Sequence, residues 1–375
     1  MDLSFLRPIY ASPGPWASVY LDASRDTQDS RPALNLRWRA LCERLVQQGA
    51  DERTVGALDA VVRGHDPLPG DYGLAAFAAR GRVALTEYMS APPVRDLAVY
   101  APLAHAMPLL AQRGAQVAWV RVLASRTGAD VDGVSLGGFA RHVQVRGGHQ
   151  FPIRRVQPGG WSQSRFQREA LTAWKRNAGD AAAATADLAD RVGAEVVVVA
   201  GDGHARSMLA GQLPERWQDR IVQTDAGSRA VSGSDPQALD DVTAQAVAEV
   251  AVQHTRSTLD RYGVQEDVGG GLDAVVTALQ RGQVDTMLIV DDPSSTQQLW
   301  VGPEPTEIAT SAEQLSEMSV TAPQSVRADA ALLRALVGTD AGLTVLAPEE
   351  APELDDGVGA VLRYVDAGTP GRGHP

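Results

Sequence analysis

A chain of 375 residues with 44% hydrophobic and 21% charged residues is a folded protein too long for one ordinary core, so two or three domains are expected. Its net charge of −12 excludes indiscriminate nucleic-acid binding, because phosphate repels such a body except where a basic patch is locally exposed. The single cysteine, Cys42, excludes a disulfide framework and a Cys-based zinc site, and the seven histidines show no metal-binding spacing, so neither a metal nor a cofactor is expected. The N-terminus MDLSFLRPIY has no basic flank and no long apolar run, and no stretch of eighteen apolar residues occurs, which points to a cytoplasmic protein without a membrane anchor.

In chain order, the first segment (1–104) opens on an alternating strand, Trp16 to Asp22. A polar loop, Asp26 to Pro32, leads to a helix from Ala33 to Gln48 with Leu34, Trp38, Leu41, Cys42 and Leu45 on one face. Cys42 reads as a small core residue rather than a nucleophile. A second helix, Glu52 to Arg63, precedes a breaker run and two strands, Tyr72 to Ala79 and Val83 to Tyr88, joined by a turn; Pro92, Pro93 and Pro102 punctuate the end.

The second segment (105–244) begins with a short helix to Arg113, a strand from Gln116 to Ala124, and further strands at Gly128 to Phe139 and His142 to Val145. From Arg141 to Arg176 it carries eight Arg or Lys against one acid, Glu169. This segregation of charge in an acidic protein suits contact with RNA phosphates. At its centre Pro158-Gly159-Gly160-Trp161-Ser162-Gln163-Ser164-Arg165-Phe166 runs into a long helix expected over Gln163 to Arg191, with Ser162 as its N-cap. Trp174 and Phe166 read as core, and Arg154 and Arg155 as the best candidates for phosphate contact. The apolar run Ala194 to Ala200 is a strand buried on both faces. The following Gly201-Asp202-Gly203 satisfies no phosphate-loop pattern and reads as a plain strand-to-helix turn, with His204 and Arg206 facing solvent. Ile221 to Gln223 is one more strand.

The third segment (245–375) starts with an amphipathic helix through Leu259 and Tyr262. A helix follows at Leu272 to Arg281, then a strand at Asp285 to Val290, a helix at Ala328 to Val337 and strands at Gly342 to Leu346 and Gly359 to Val365. The tail Asp366 to Pro375, rich in Gly and Pro, is expected to be disordered.

Three stretches carry a family resemblance. Gly357-Val-Gly-Ala-Val-Leu-Arg-Tyr364 resembles the GIGGILRY ending of archaeal and eukaryotic peptide-chain release factors and of Pelota. Gly271 to Val290 resembles the helix-plus-strand unit of their third domain. Gly159, Gly160, Ser162, Arg165 and Phe166 match their GGQSxxRF motif. The chain most resembles the bacterial branch of this superfamily, the bacterial archaeo-eukaryotic release-factor-like proteins of actinobacterial type, a group similar to the ribosome hibernation factor Balon. The resemblance implies an α/β fold of three α/β domains, release-factor/Pelota-like, the middle one a mixed sheet with packed helices and a long basic loop. It further implies a monomer that binds the 70S ribosome at its A site, with EF-Tu or another translational GTPase as a partner. The first segment has no NIKS-like motif, so stop-codon reading is unsupported.

The family's reaction is ester hydrolysis of peptidyl-tRNA, in which glutamine and backbone N–H groups position water and stabilise the oxyanion. Here Trp161 stands where that glutamine is expected. Trp lacks the amide but can stack on an unpaired base. Gln163 supports a rival reading, because Gly160-Trp161-Ser162-Gln163 resembles the Gly-x-x-Gln loop of tRNA-releasing hydrolases in ribosome quality control. The favoured expectation is a factor that binds idle or stalled ribosomes without strong catalysis. Arg146, Arg154, Arg155, Gly159, Gly160, Trp161, Ser162, Arg165 and Arg168 are its expected RNA contacts, and Gln163 is the candidate catalytic residue of the alternative.

Overall fold

The computed structural model describes residues 1–24, 30–65, 70–114, 116–125, 127–136, 138, 140–146, 160–227, 236–265, 270–349, 354–366 and 369. In the helices beginning at Ser30, Gly160 and Pro236 it describes side chains from 32, 172 and 237 onward. The fold is α/β, as expected. By contact the chain separates into two compact units, 1–114 together with 254–375, and 115–253.

In the first unit a short helix, α1 (Arg7–Tyr10), precedes β1 (Trp16–Asp22), which is buried along nearly its whole length. Alternate residues of β1 enter two different cores. Ala17, Val19 and Leu21 face one that holds Trp38, Leu41, Leu45, Leu58 and Val62, from α2 (Ser30–Gln47) and α3 (Glu52–Gly64). Trp16 and Tyr20 face another that holds residues of the third segment, including Val275, Leu332 and Leu336. A strand with a period of two and no polar face must be covered twice. The second cover here comes from the far end of the chain, so the first and third segments form one contact unit.

Asp51 caps α3, accepting hydrogen bonds from Thr54 N at 3.0 Å and Thr54 Oγ1 at 2.7 Å. Trp38 Nε1 ties the two helices together through Asp59 Oδ1 at 2.8 Å. Burial pushes the Cys42 thiol up to about 11, which keeps it protonated and unreactive near neutrality.

The first sheet is antiparallel, in the order β3-β2-β1-β4, with β2 (Gly73–Ala79), β3 (Arg82–Met89) and β4 (Leu97–Ala101). β4 was not expected from the sequence. It is bracketed by Pro93 and Pro102 and pairs Leu97 with Tyr20 and Ala101 with Trp16, turning β1 into an interior strand. α4 (Met107–Gly114) follows, burying Met107, Leu109 and Leu110.

The second unit is built on a five-stranded mixed sheet, order β7-β6-β5-β8-β9. β5 (Trp119–Ser125), β6 (Gly128–Val134) and β7 (Ala140–Arg146) are antiparallel, whereas β5, β8 (Val196–Gly201) and β9 (Ile221–Gln223) are parallel. α5 (Gly160–Val192), α6 (Gly203–Ala210) and α7 (Glu215–Gln218) share one core with Val120, Val122, Val197 and Val199. The opposite face of the sheet, with Val196, Val198 and Ala200, packs on α8 (Pro236–Gly263). Helices on both faces explain why β8 is apolar throughout. The contact units meet at 114/115 and at 253/254, the latter within α8.

The third segment adds α9 (Gly271–Gln280) and β10 (Val284–Val290), the helix-plus-strand unit expected there. A small antiparallel sheet follows, in the order β12-β11-β13, from β11 (Gln298–Val301), β12 (Ile308–Ala309) and β13 (Gln324–Arg327), with α10 (Ala312–Glu317) after β12. The sequence reading assigned no element to this stretch. α11 (Ala328–Gly338) is buried almost all round, and its Arg334 is satisfied by the carbonyls of Gly302, at 2.9 Å, and Pro303. β14 (Gly342–Leu346) runs parallel to β10, and β15 (Val358–Leu362) antiparallel to it. Asp366 is held by Arg281 at 2.6 and 2.8 Å. The rest of the tail expected to be disordered, 367–368 and 370–375, lies outside the described residues.

Candidate nucleic-acid interface

α5 dominates the second unit because its sequence favours helix at every level. Its middle is alanine-rich, and Ala173, Asn177, Ala181, Thr185, Leu188 and Val192 recur at helical spacing on the buried side. At 33 residues it is about 50 Å long. The six-residue strand β8 beneath it rises only about 20 Å. The helix is therefore longer than the strand beneath it.

Of the expected site residues, Arg154, Arg155 and Gly159 lie outside the described residues. Gly160, Trp161, Ser162, Gln163, Arg165 and Arg168 all fall in the first turns of α5. Ser162 is thus the third residue of the helix and not its N-cap, since helical hydrogen bonding starts at Gly160. Further along α5, Thr172 and Lys175 are exposed and Ala173 and Asn177 are buried.

Arg146 is exposed at the end of β7, with Nε and Nη2 donating to Gln144 Oε1 at 3.1 and 2.9 Å. Val143 and Val145 turn inward from this strand, while His142, Gln144 and Arg146 occupy its other face. There they meet the acids of β6. Gln144 Nε2 donates to Asp130 at 2.9 Å, and His142 Nδ1 lies 2.8 Å from Asp132, which also accepts from Arg121 Nε at 3.1 Å. Arg121 reaches on to Asp240 of α8.

The hydrogen bond to Asp132 raises the His142 pKa above its ordinary value of 6.5. A raised folded-state value means that the histidine contributes stability fully present below 6.5 and lost as pH rises through the raised value. His142→Gln is therefore expected to flatten the stability decline between pH 6 and pH 8, as read by denaturant midpoints at both ends of that range. The side chain is 58% exposed, so the change is small.

A cleft of ≈ 430 Å³ opens beside this face, at the carboxyl ends of β5 and β8. Ser125, Thr127, Asp130, Gln144, Arg146 and Asp202 supply its polar lining. In open α/β sheets this is where ligands sit. The sequence reading of Gly201 to Gly203 as a strand-to-helix turn agrees with the structure, in which Asp202 caps α6 by accepting from His204 N at 3.0 Å. Gly201 has φ +112°, and a Cβ there would collide with the Ala124 carbonyl of the adjacent strand. His204 is exposed and stands edge-on to Trp174, which is half-buried, at 5.9 Å. Arg206 is only partly exposed: its Nε and Nη1 are buried and without a hydrogen-bond partner among the described residues. The bare signal for the cleft, a glycine pair after an all-apolar strand, is too common to have announced it.

Among the described residues no cluster of His, Cys, Asp or Glu is arranged to hold a metal ion, and no helix is long and apolar enough to cross a membrane.

The sequence profile of bacterial archaeo-eukaryotic release factor family 2 matches residues 118–267. Two uncharacterized proteins of Mycobacterium tuberculosis, Rv2629 of strain H37Rv and MT2704 of strain CDC 1551, are each 29% identical to this chain over 365 residues, 96% of both partners in each comparison. Among solved structures, Saccharomyces cerevisiae Dom34, a translation termination-like factor involved in RNA quality control pathways and interacting with Hbs1, is 11% identical. It covers 80% of this chain and 82% of its own, with a TM-score of 0.37. Archaeoglobus fulgidus Pelota is 14% identical over 79% of this chain and 80% of its own, with a TM-score of 0.31. The archaeal translation termination factor aRF1 is 16% identical over 94% and 93%, with a TM-score of 0.24.

Proposed function

We propose that this chain, a bacterial archaeo-eukaryotic release-factor-like protein by its residues 118–267, is a ribosome-associated factor of the hibernation or rescue type. It binds the A site of idle or stalled 70S ribosomes. The N-terminal turns of α5 and the basic segment before them contact rRNA at the peptidyl transferase centre, with Arg146, Arg154, Arg155, Arg165 and Arg168 meeting phosphates. Gly159 and Gly160 allow close backbone approach, and Trp161 stacks on an unpaired base. The carrying observation is the segregation of eight Arg or Lys against one acid from Arg141 to Arg176, within a protein of net charge −12. EF-Tu or another translational GTPase is the proposed protein partner, and the three segments 1–104, 105–244 and 245–375 serve the decoding centre, the peptidyl transferase centre and the GTPase side.

Co-sedimentation with ribosomes tests this reading. The protein is expected in the ribosomal pellet at low salt and released as salt rises; a protein that stays in the supernatant with and without EF-Tu overturns it. The rival activity, peptidyl-tRNA hydrolysis through Gln163, is less well supported because Trp161 stands where the family's glutamine is expected and one glutamine at a helix start is commonplace. Release of peptide from ribosome-bound peptidyl-tRNA by the protein, lost in Gln163→Ala, is the result that would favour it.

A further inference from the structure

The first unit contains a cavity of ≈ 330 Å³ between the first sheet and the carboxyl end of β10. This is the low end of the range of about 300–1,000 Å³ usual for small-molecule sites. Its walls are mainly apolar, with Met89, Leu97, Met107 and Pro108 among them. Its polar lining includes Asp291 and Asp292, where the chain leaves β10, and Asp329, which opens α11.

The carboxylates differ in what they already hold. Asp329 accepts from Arg327 at 2.8 Å and from Ala330 N at 2.7 Å. Asp292 accepts from Ser294 N at 2.9 Å and from Ser294 Oγ at 2.6 Å. The Asp291 carboxylate has no hydrogen bond or ion pair among the described residues, while its own N–H donates to Leu346 O at 3.0 Å and fixes its place. His105 also lines the cavity, with a side chain 12% exposed. Its Nδ1 is buried without a hydrogen-bond partner, 3.6 Å from Asp329. Burial lowers the His105 pKa, which leaves the ring neutral near pH 7. Of the two guanidinium groups lining the cavity, Arg327 is committed to Asp329, and Arg95 is exposed. The cavity thus presents one uncompensated carboxylate in a mainly apolar chamber.

We propose that this cavity is a binding site for a small organic cation, an ammonium or amidinium head on an apolar body. The head pairs with Asp291, and the body packs between Met89, Leu97 and Met107. Burial, followed by the nearby charges of Asp292 and Asp329, raises the Asp291 pKa, so the carboxylate is short of the positive partner that such a head supplies. An anion is disfavoured by the same three carboxylates.

Benzamidine is a suitable probe, with neutral benzamide and anionic benzoate as controls of similar shape. Calorimetry on the full chain is expected to show one saturable benzamidine site, binding at least about 10-fold tighter than either control. Asp291→Asn is expected to remove that preference while keeping the wild-type melting temperature. In the wild type, methyl NMR is expected to move the Met89 and Met107 signals on titration, a readout independent of how any variant folds. Equal binding of benzamidine and benzoate, no benzamidine binding at 10 mM, or shifts that bypass both methionines would overturn the proposal.

Discussion

Replacing Arg165, Arg168 and Lys175 together by glutamate is expected to weaken ribosome binding by about 100-fold or more at 0.1 M salt. Each phosphate contact on an RNA strand contributes about 0.7 to the slope of log affinity against log salt, so three lost contacts remove about two decades at that salt. The slope itself is expected to fall by about 2. The control changes net charge equally: Arg63, Arg191 and Arg216 form exposed ion pairs with Asp59, Asp187 and Asp190. Reversing those three is expected to alter affinity by less than about 3-fold, because exposed pairs contribute little and screening confines their reach. If both triple variants lose affinity alike, attraction depends on total charge and the basic residues of α5 have no special part.

Gly201→Ala is expected to destabilise the protein by about 3 kcal/mol, combining a left-handed backbone angle with a steric conflict. At φ +112° the new Cβ meets the carbonyl of Ala124, an atom held in the pairing of β5 with β8, so neither side can yield. Two residues later, Gly203→Ala is expected to be neutral or to stabilise by about 0.5–1 kcal/mol. Nothing lies within 4 Å of the added Cβ, and alanine is the better helix former. Denaturant titration of the two variants gives opposite signs if strands β5 and β8 approach as described. A Gly201→Ala protein as stable as the wild type would mean that they do not.

The contrast between these two glycines shows where sequence reasoning reaches. Both belong to a run read as a strand-to-helix turn, and the turn is there; which glycine is indispensable depends on a neighbouring strand distant in sequence. The same distinction holds across the fold. β8, β9, the helix-plus-strand unit of α9 and β10, and the apolar face of α2 are legible because each is written in local periodicity or in an unbroken apolar run. β4 and the small sheet of β11, β12 and β13 are not, because strands of two to five residues beside prolines and polar turns owe their form to partners elsewhere.

The candidate interface was legible as chemistry and not as geometry. Charge segregation from Arg141 to Arg176 is visible in the residues alone. The helix start is not: an N-cap at Ser162 would leave Trp161 in a loop, whereas α5 already includes Gly160 and Trp161. The cavity beside Asp291 had no sequence signature, because its walls come from segments about 200 residues apart, such as Met89 and Asp291.

The central claim, that the N-terminal turns of α5 lie against rRNA, is tested most directly by cleavage from a tethered iron chelate. Cys42 is the sole cysteine, so Ser164→Cys in a Cys42→Ser background gives one attachment point, in the first turns of α5. The account predicts hydroxyl-radical cleavage of large-subunit rRNA around the peptidyl transferase centre from position 164, and little from a chelate at position 191 near the other end of the helix. Cleavage from position 164 no greater than background, in a complex that still co-sediments, would contradict it.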